Sequence, residues 1–405
     1  MKLKELQKAS QALVSVEATT APILSCYVNL AQNSRDYRHA LQERVRALRR
    51  ALEPGEREAF ELALARIESH LEVAVDTQTT GGVALFAREI DGPFFQALHF
   101  EVALPNRLSI GAFPSIYNLV ELKDTYHRYV VLITTKDHVR ILEVDVGKAT
   151  SRLWAQRPEL RKRVGSIWSR EHYQKHQADR RDKFIKEKIQ MLTRIVASGS
   201  HTHVILAGHA EAVARVRARL PKALLNKLVE ISGGSFVLAD NSQWKGSARA
   251  RDSDIVASTL ASFIEHEQHE SVLTVERLKE ELRRGGLAVA GARESLMALR
   301  QGQVDVLVMA EVPGWTCLDC GALADEAPLG TGCPECGKHG IRTILHLQED
   351  MVRLAEQQGA TVEIVRESDA LLALGGVGCL LRYLTPEQHA ESARIENAWP
   401  AETIS

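Results

Sequence analysis

The sequence predicts an α/β protein of three domains, and three observations carry that expectation. Its 405 residues exceed what one core holds at about 100 to 200 residues per domain. Apolar runs of strand composition alternate with stretches whose apolar residues recur every three or four positions. A pattern of four cysteines interrupts the last of these alternations, directly after a strand-like run. Hydrophobic residues make up 45% and charged residues 25%, enough apolar surface for several cores and too much for a disordered chain.

The first domain, residues 1–125, opens with a mixed-charge helix and the strand ILSCYVNL. From Arg35 to Val75 apolar residues repeat at helical spacing (Leu41, Val45, Leu48, Leu52, then Phe60, Leu64, Ile67, Leu71), and Pro54-Gly55 divides them into a hairpin. Past Gly81-Gly82, the runs VALFAR, ALHFEVAL and LSIGAF read as strands. The second domain, 126–268, begins with two or three successive strands in YVVLITTKDHVRILEVDVGKATSRLW. A long charged helix follows from about Tyr173 to Ala197, then the strand HVILAGH, a helix ended by Pro221, and another from about Asp252 to Glu267. The third, 269–385, carries a helix in VERLKEELRRGG, the strand VDVLVMAEV, the cysteines, a helix in LHLQEDMVRLAEQQG, the strand TVEIVR and the run GGVGCLLRY. Residues 386–405 form a polar tail.

A formal net charge of -1 argues against a uniformly basic nucleic-acid coat protein and leaves room for a local basic patch. No apolar run reaches the roughly 20 residues that span a bilayer, and the N-terminus has no apolar signal core, so a cytoplasmic location is expected. Six cysteines are too few for a disulfide scaffold. Cys26 and Cys379 sit in apolar runs, where a buried thiol is the usual case. The other four form Cys317-x-x-Cys320 and Cys333-x-x-Cys336, each followed at once by a glycine, Gly321 and Gly337, that lets the backbone turn around the sulfurs. Four thiolates leave no open coordination position. The expectation is a structural zinc ribbon over 315–340, since redox work would need a single pair.

A second concentration of chemistry runs over 161–176 and on into the long helix. Arg161, Lys162, Arg163, Arg170, Lys175, Arg180 and Arg181 are interleaved with Trp168, His172 and Tyr173, around the short stretch Gly165-Ser166-Ile167. Cations neutralise phosphate and flat rings stack on bases, so the segment suits nucleic acid, RNA in particular; the competing reading is a solvated helix face behind a charged loop.

The second and third domains resemble the archaeo-eukaryotic release factors, a superfamily that includes the rescue factor Pelota. In release factors a strand pair leads to a basic loop bearing Gly-Gly-Gln, followed by a long helix with an aromatic and several arginines in its early turns. With Asp182-Lys183-Phe184-Ile185-Lys186 placed on the matching turn, Tyr173 takes the aromatic position and Ser166-Ile167-Trp168 stands where the tripeptide would be. The third domain resembles the family's L7Ae-like last domain in Gly286 to Glu311, in the cysteine ribbon, and in Gly375 to Tyr383. The first resembles it in element order alone, and no Asn-Ile-Lys-Ser motif lies between Asn33 and Glu58.

The resemblance implies a ribosome-binding protein of release-factor or Pelota-like arrangement. It also implies that peptide release is lost. The family's glutamine places water at an ester and its glycines admit the backbone to a crowded site, whereas Ile167 and Trp168 offer bulk and no amide. The chain is similar in this to the bacterial branch without the tripeptide, which includes the hibernation factor Balon. The implied partners are the 70S ribosome, at its A site and through 16S and 23S rRNA, and elongation factor Tu or another translational GTPase; no DNA and no membrane is implied. Hibernation leads, Pelota-like rescue of stalled ribosomes is the alternative, and peptidyl-tRNA hydrolysis is a lesser one.

Other candidates are weaker. His201, His203 and His209 flank HVILAGH, but one short strand points at most two ligands to one face, and core or surface histidines are expected. Arg38, Arg44, Arg46, Arg49 and Arg50 lie on more than one helix face and read first as solvated. No Walker or dinucleotide fingerprint is present, so no bound nucleotide is expected.

Overall fold

The computed structural model describes residues 2–30, 34–52, 54–75, 81–134, 138–146, 148–156, 170–199, 201–208, 210–229, 252–310, 315–317, 323–324, 341–366 and 368–385. These are mixed α/β and form two compact units. Met1–Thr125 and Glu267–Ser405 make one; Tyr126–His266 makes the other. Among the described residues no helix is long and apolar enough to cross a membrane.

In the first unit, the N-terminal sheet has the order β3-β2-β1-β4 and is antiparallel throughout, from β1 (Ile23–Asn29), β2 (Gly82–Arg88), β3 (Phe94–Phe100) and β4 (Arg107–Gly111). The hairpin of α2 (Ser34–Ala51) and α3 (Pro54–Val75) covers one face. There Leu24, Cys26 and Val28 of β1 meet Val45, Phe60, Leu64 and Ile67. The alternate residues Ile23, Ser25 and Tyr27 are also buried, which is why β1 shows no alternation of apolar and charged residues. Cys26 lies in this core, as expected, and burial pushes its thiol up to about 12.

Two details differ from the sequence reading. The run expected as the strand ALHFEVAL pairs three residues earlier. The β2–β3 connection is Glu89 to Pro93, where Asp91 and Gly92 take φ of 54° and 92°, a left-handed turn that sets Arg88 opposite Phe94. Buried Arg88 fixes it by donating from Nε to Gly92 O at 2.8 Å and from Nη1 to Glu17 O at 3.0 Å. A helix not anticipated, α4 (Tyr117–Thr125), ends the segment.

The same unit holds a second sheet of order β14-β10-β15-β9, with β10 (Val304–Ala310) parallel to β14 (Thr361–Val365) and antiparallel to β15 (Val377–Leu381), which pairs with β9 (Ala288–Ala290). Helices α9 (Ala292–Arg300), α10 (Ile344–Gln358) and α11 (Asp369–Ala373) accompany it. Cys379 is fully buried on β15, its thiol likewise pushed up to about 12. Between β10 and α10 comes a three-stranded sheet of order β12-β11-β13, from β11 (Trp315–Cys317), β12 (Leu323–Ala324) and β13 (Ile341–Thr343).

Glu349 of α10 joins the two segments by capping α4. Its Oε2 accepts from the backbone N–H groups of Ile116 at 3.0 Å and Tyr117 at 3.1 Å, and its Oε1 accepts from the Ser115 hydroxyl. Arg107 Nη2 lies 3.9 Å from Oε1. Lys123 pairs with Glu356, and Asp124 Oδ2 accepts from Ile364 N at 3.0 Å, so α4 is held along its length by residues more than 200 positions away. These are the orphan N–H groups of a helix start, satisfied here by a tertiary partner.

The other unit is a sheet of order β7-β6-β5-β8 between helical layers. Strand β5 (Tyr129–Thr134) runs parallel to β8 (His203–Gly208), while β6 (His138–Asp145) and β7 (Lys148–Gln156) continue antiparallel. Helix α5 (Arg170–Gly199) and α6 (Ala210–Arg217) cover one face. Phe263 and Leu260 of α8 (Asp252–Arg283) pack on the other, against Tyr129, Val131 and Ile133. Helix α8 replaces the two helices expected over 252–286: no glycine or proline falls between Asp252 and Arg283 to break it.

Candidate nucleic-acid interface

In the middle unit the described ends of β7 and α5 flank the basic segment. Strands β6 and β7 form a hairpin whose open end pairs His138 with Gln156, so the chain leaves the sheet at the end where Thr134 meets Gly208. Helix α5 then returns along the sheet. Its buried residues Ile185, Ile189, Leu192 and Val196, at intervals of four, three and four, form the stripe that packs on Val130, Leu132, Val204 and Leu206. At 1.5 Å per residue, Arg170 lies about 22 Å along the helix axis from Ile185, the first buried residue of that stripe.

Of the predicted RNA-contacting residues, Arg170, His172, Tyr173 and Lys175 fall in the first turns of α5 and Arg181 further along, where the backbone is described. Arg180 is exposed, as are Lys183 and Lys186. Arg161, Lys162, Arg163, Gly165, Ser166, Ile167 and Trp168 lie outside the described residues. The described turns are mixed in charge: Arg219 Nη2 holds Asp182 at 2.8 Å, and Lys188 lies over the Phe184 ring, 5.2 Å from its centroid. The basic excess therefore belongs to the early turns and the segment before them. For the metal candidates, Cys317 ends β11, which pairs with β13 through Cys317 and Ile341; Cys320, Cys333 and Cys336 lie outside the described residues.

At the other end of the same sheet lies a buried charge cluster that the sequence did not single out. Arg128, with its side chain 12% exposed, pairs with Glu143 through Nη2, with Asp145 Oδ2 through Nε at 3.1 Å, and donates to Gly199 O. His201 is buried, its Nε2 3.1 Å from Glu143 Oε1, and burial depresses its pKa although the carboxylate opposes that. Of the core and surface placements expected for the three histidines, His201 takes the core one; His203 is half-buried on β8, and His209 lies outside the described residues. The cluster joins positions 128, 143, 145 and 201, and no local spacing signals it.

Residues 114–243, which contain the hairpin, the basic segment and α5, match the model of bacterial archaeo-eukaryotic release factor family 10. Over those residues the chain is similar to the bacterial archaeo-eukaryotic release factors. The chain is 26% identical over 193 residues to an uncharacterized protein of Mycobacterium tuberculosis, covering 47% of this chain and 48% of that one. It is 31% identical over 138 residues to peptide chain release factor subunit 1 of Pyrococcus abyssi, covering 28% and 33%. The chain thus spans half or less of the length of the curated relatives it matches. Among solved structures it is similar to an archaeal translation termination factor (17% identity, 95% and 99% covered, TM-score 0.27) and to Pelota of Archaeoglobus fulgidus (14%, 75% and 80%, TM-score 0.34).

Proposed function

We propose that this protein is a non-catalytic ribosome-binding factor that occupies the A site, its middle domain reaching toward the peptidyl transferase centre through the segment 161–176. The observation that carries the reading is a conjunction. The family match spans 114–243, and on the alignment that the resemblance implies Ser166-Ile167-Trp168 takes the place of a release factor's hydrolytic tripeptide, while cations and aromatics lie on both sides. Such a segment holds RNA by phosphate neutralisation and stacking and has no amide to position water. Occupancy of the A site blocks aminoacyl-tRNA and shields exposed catalytic RNA, a hibernation role like that of Balon. Contact with elongation factor Tu or another translational GTPase, through the third domain, belongs to the same proposal, as does a cytoplasmic location. The four cysteines have the donor set and spacing of a structural zinc ribbon, with Cys317 at the end of a short strand.

Co-sedimentation with vacant 70S ribosomes tests the reading. Binding should weaken steeply with salt, and replacing Arg161, Arg163 and Arg170 together by Ala should reduce it without unfolding the middle domain. Binding only to ribosomes stalled on truncated message would move the assignment to Pelota-like rescue. Release of labelled peptide would overturn the non-catalytic reading.

A further inference from the structure

Strand β8 supplies a histidine that only the fold brings to a second one. His203 opens β8, and His266 lies on α8; their ring centroids are 5.5 Å apart with planes at 80°, and they place ring nitrogens within 4.8 Å of each other. We propose that His203 and His266 bind a divalent transition-metal ion, with one imidazole nitrogen each and the remaining positions filled by water. Neutral imidazole suits zinc, nickel and copper, and two ligands on a strand and a helix are enough to clamp one layer to the other.

The hydrogen bonding around His203 prepares it for this role. The Thr202 hydroxyl donates its one proton to Arg128 O at 3.1 Å, yet its oxygen lies 2.8 Å from His203 Nδ1. The second bond must then run from Nδ1–H to the hydroxyl, which leaves the lone pair on Nε2. A ligating histidine whose other nitrogen donates outward is the arrangement that fixes tautomer and ring orientation at metal sites. Both rings are also mounted on packed residues. Phe263, one turn before His266 and fully buried, stacks on Tyr129 at 4.5 Å and meets His203 edge-on at 5.4 Å. His127 brings a third imidazole 6.3 Å from His203. The site lies beside Tyr129, at the end of the sheet opposite Gln156, so it is separate from the basic segment.

The test is calorimetric titration of the full chain with NiCl2 near pH 7.5, after one equivalent of Zn2+ has been supplied to the four-cysteine pattern. One further nickel equivalent should bind. His203→Gln and His266→Gln should each weaken it at least about tenfold, Thr202→Ala by about 10- to 100-fold, and Thr202→Ser should restore it. His99→Gln, in the other unit, should change nothing. Absence of saturable nickel binding, or binding that survives both histidine substitutions, would overturn the proposal. If His203→Gln does not fold, the half-exposed His266 decides the matter alone.

Discussion

In the unit formed by the first and last segments, the Glu349 carboxylate sits among backbone N–H groups and the Ser115 hydroxyl, with its nearest cation, Arg107, at 3.9 Å. In the middle unit, the Glu143 and Asp145 carboxylates share Arg128 directly and adjoin His201. Both sites are largely buried, and their ionisations respond to burial in opposite ways. Desolvation raises Glu349 above the ordinary glutamate value despite its donors. The same cause lowers His201 despite its carboxylate. Burial disfavours whichever form is charged, so an acid holds its proton and a base gives its proton up.

The comparison can be broken at four points, taken from the largest expected effect down. Arg128→Ala strands two carboxylates in the middle unit and should cost about 3–5 kcal/mol in urea unfolding, with hydrogen exchange rising first in β5 and β6. Glu349→Ala removes the acceptor of three donors and should cost about 2 kcal/mol, with exchange rising in α4. A larger loss from Glu349 than from Arg128 would show that direct ion pairing is not what distinguishes the sites.

The third test is the pH response. A histidine whose folded pKa lies below its unfolded value takes up its proton first in the unfolded chain. His201 should therefore drain stability as pH falls below about 6.5, and His201→Gln should flatten that slope. Glu349 works in the other direction. The folded state holds its proton to higher pH, so its contribution is fullest below about pH 4.3 and declines as pH rises through the elevated value; Glu349→Gln should remove that decline. Unfolding midpoints of the two variants against wild type between about pH 4 and 7.5 would expose equal signs if the argument fails. Smallest is Arg49→Ala, which breaks the exposed pair of Arg49 and Glu61 at 2.6 Å and should change stability by no more than about 0.5 kcal/mol.

Much of the secondary structure was legible. The helical spacing from Leu41 to Leu71 yielded α2 and α3 with the turn at Pro54, and VVLIT, HVILAG and VDVLVMA yielded β5, β8 and β10. The misses share a cause. Strand β3 shifted because a turn at Asp91-Gly92, locked by Arg88, sets the register, and local hydrophobicity does not report register. Helix α4 escaped because its short segment has no cap of its own and borrows Glu349. The basic residues were visible as composition, while the position of those on α5 N-terminal to its buried stripe needed the packing of Ile185 to Val196.

The sequence by itself determined the α/β class, the periodicity of most elements, the four-cysteine spacing and the absence of a Gly-Gly-Gln tripeptide, because each is written in residues that are neighbours along the chain. Tertiary structure alone decided that the first and last segments share one unit, that Arg128 meets Glu143, Asp145 and His201, and that His203 faces His266. Those pairings are decided by which faces of distant elements can bury apolar surface against one another, and the polar groups carried along with those faces must then find partners or sites where they land.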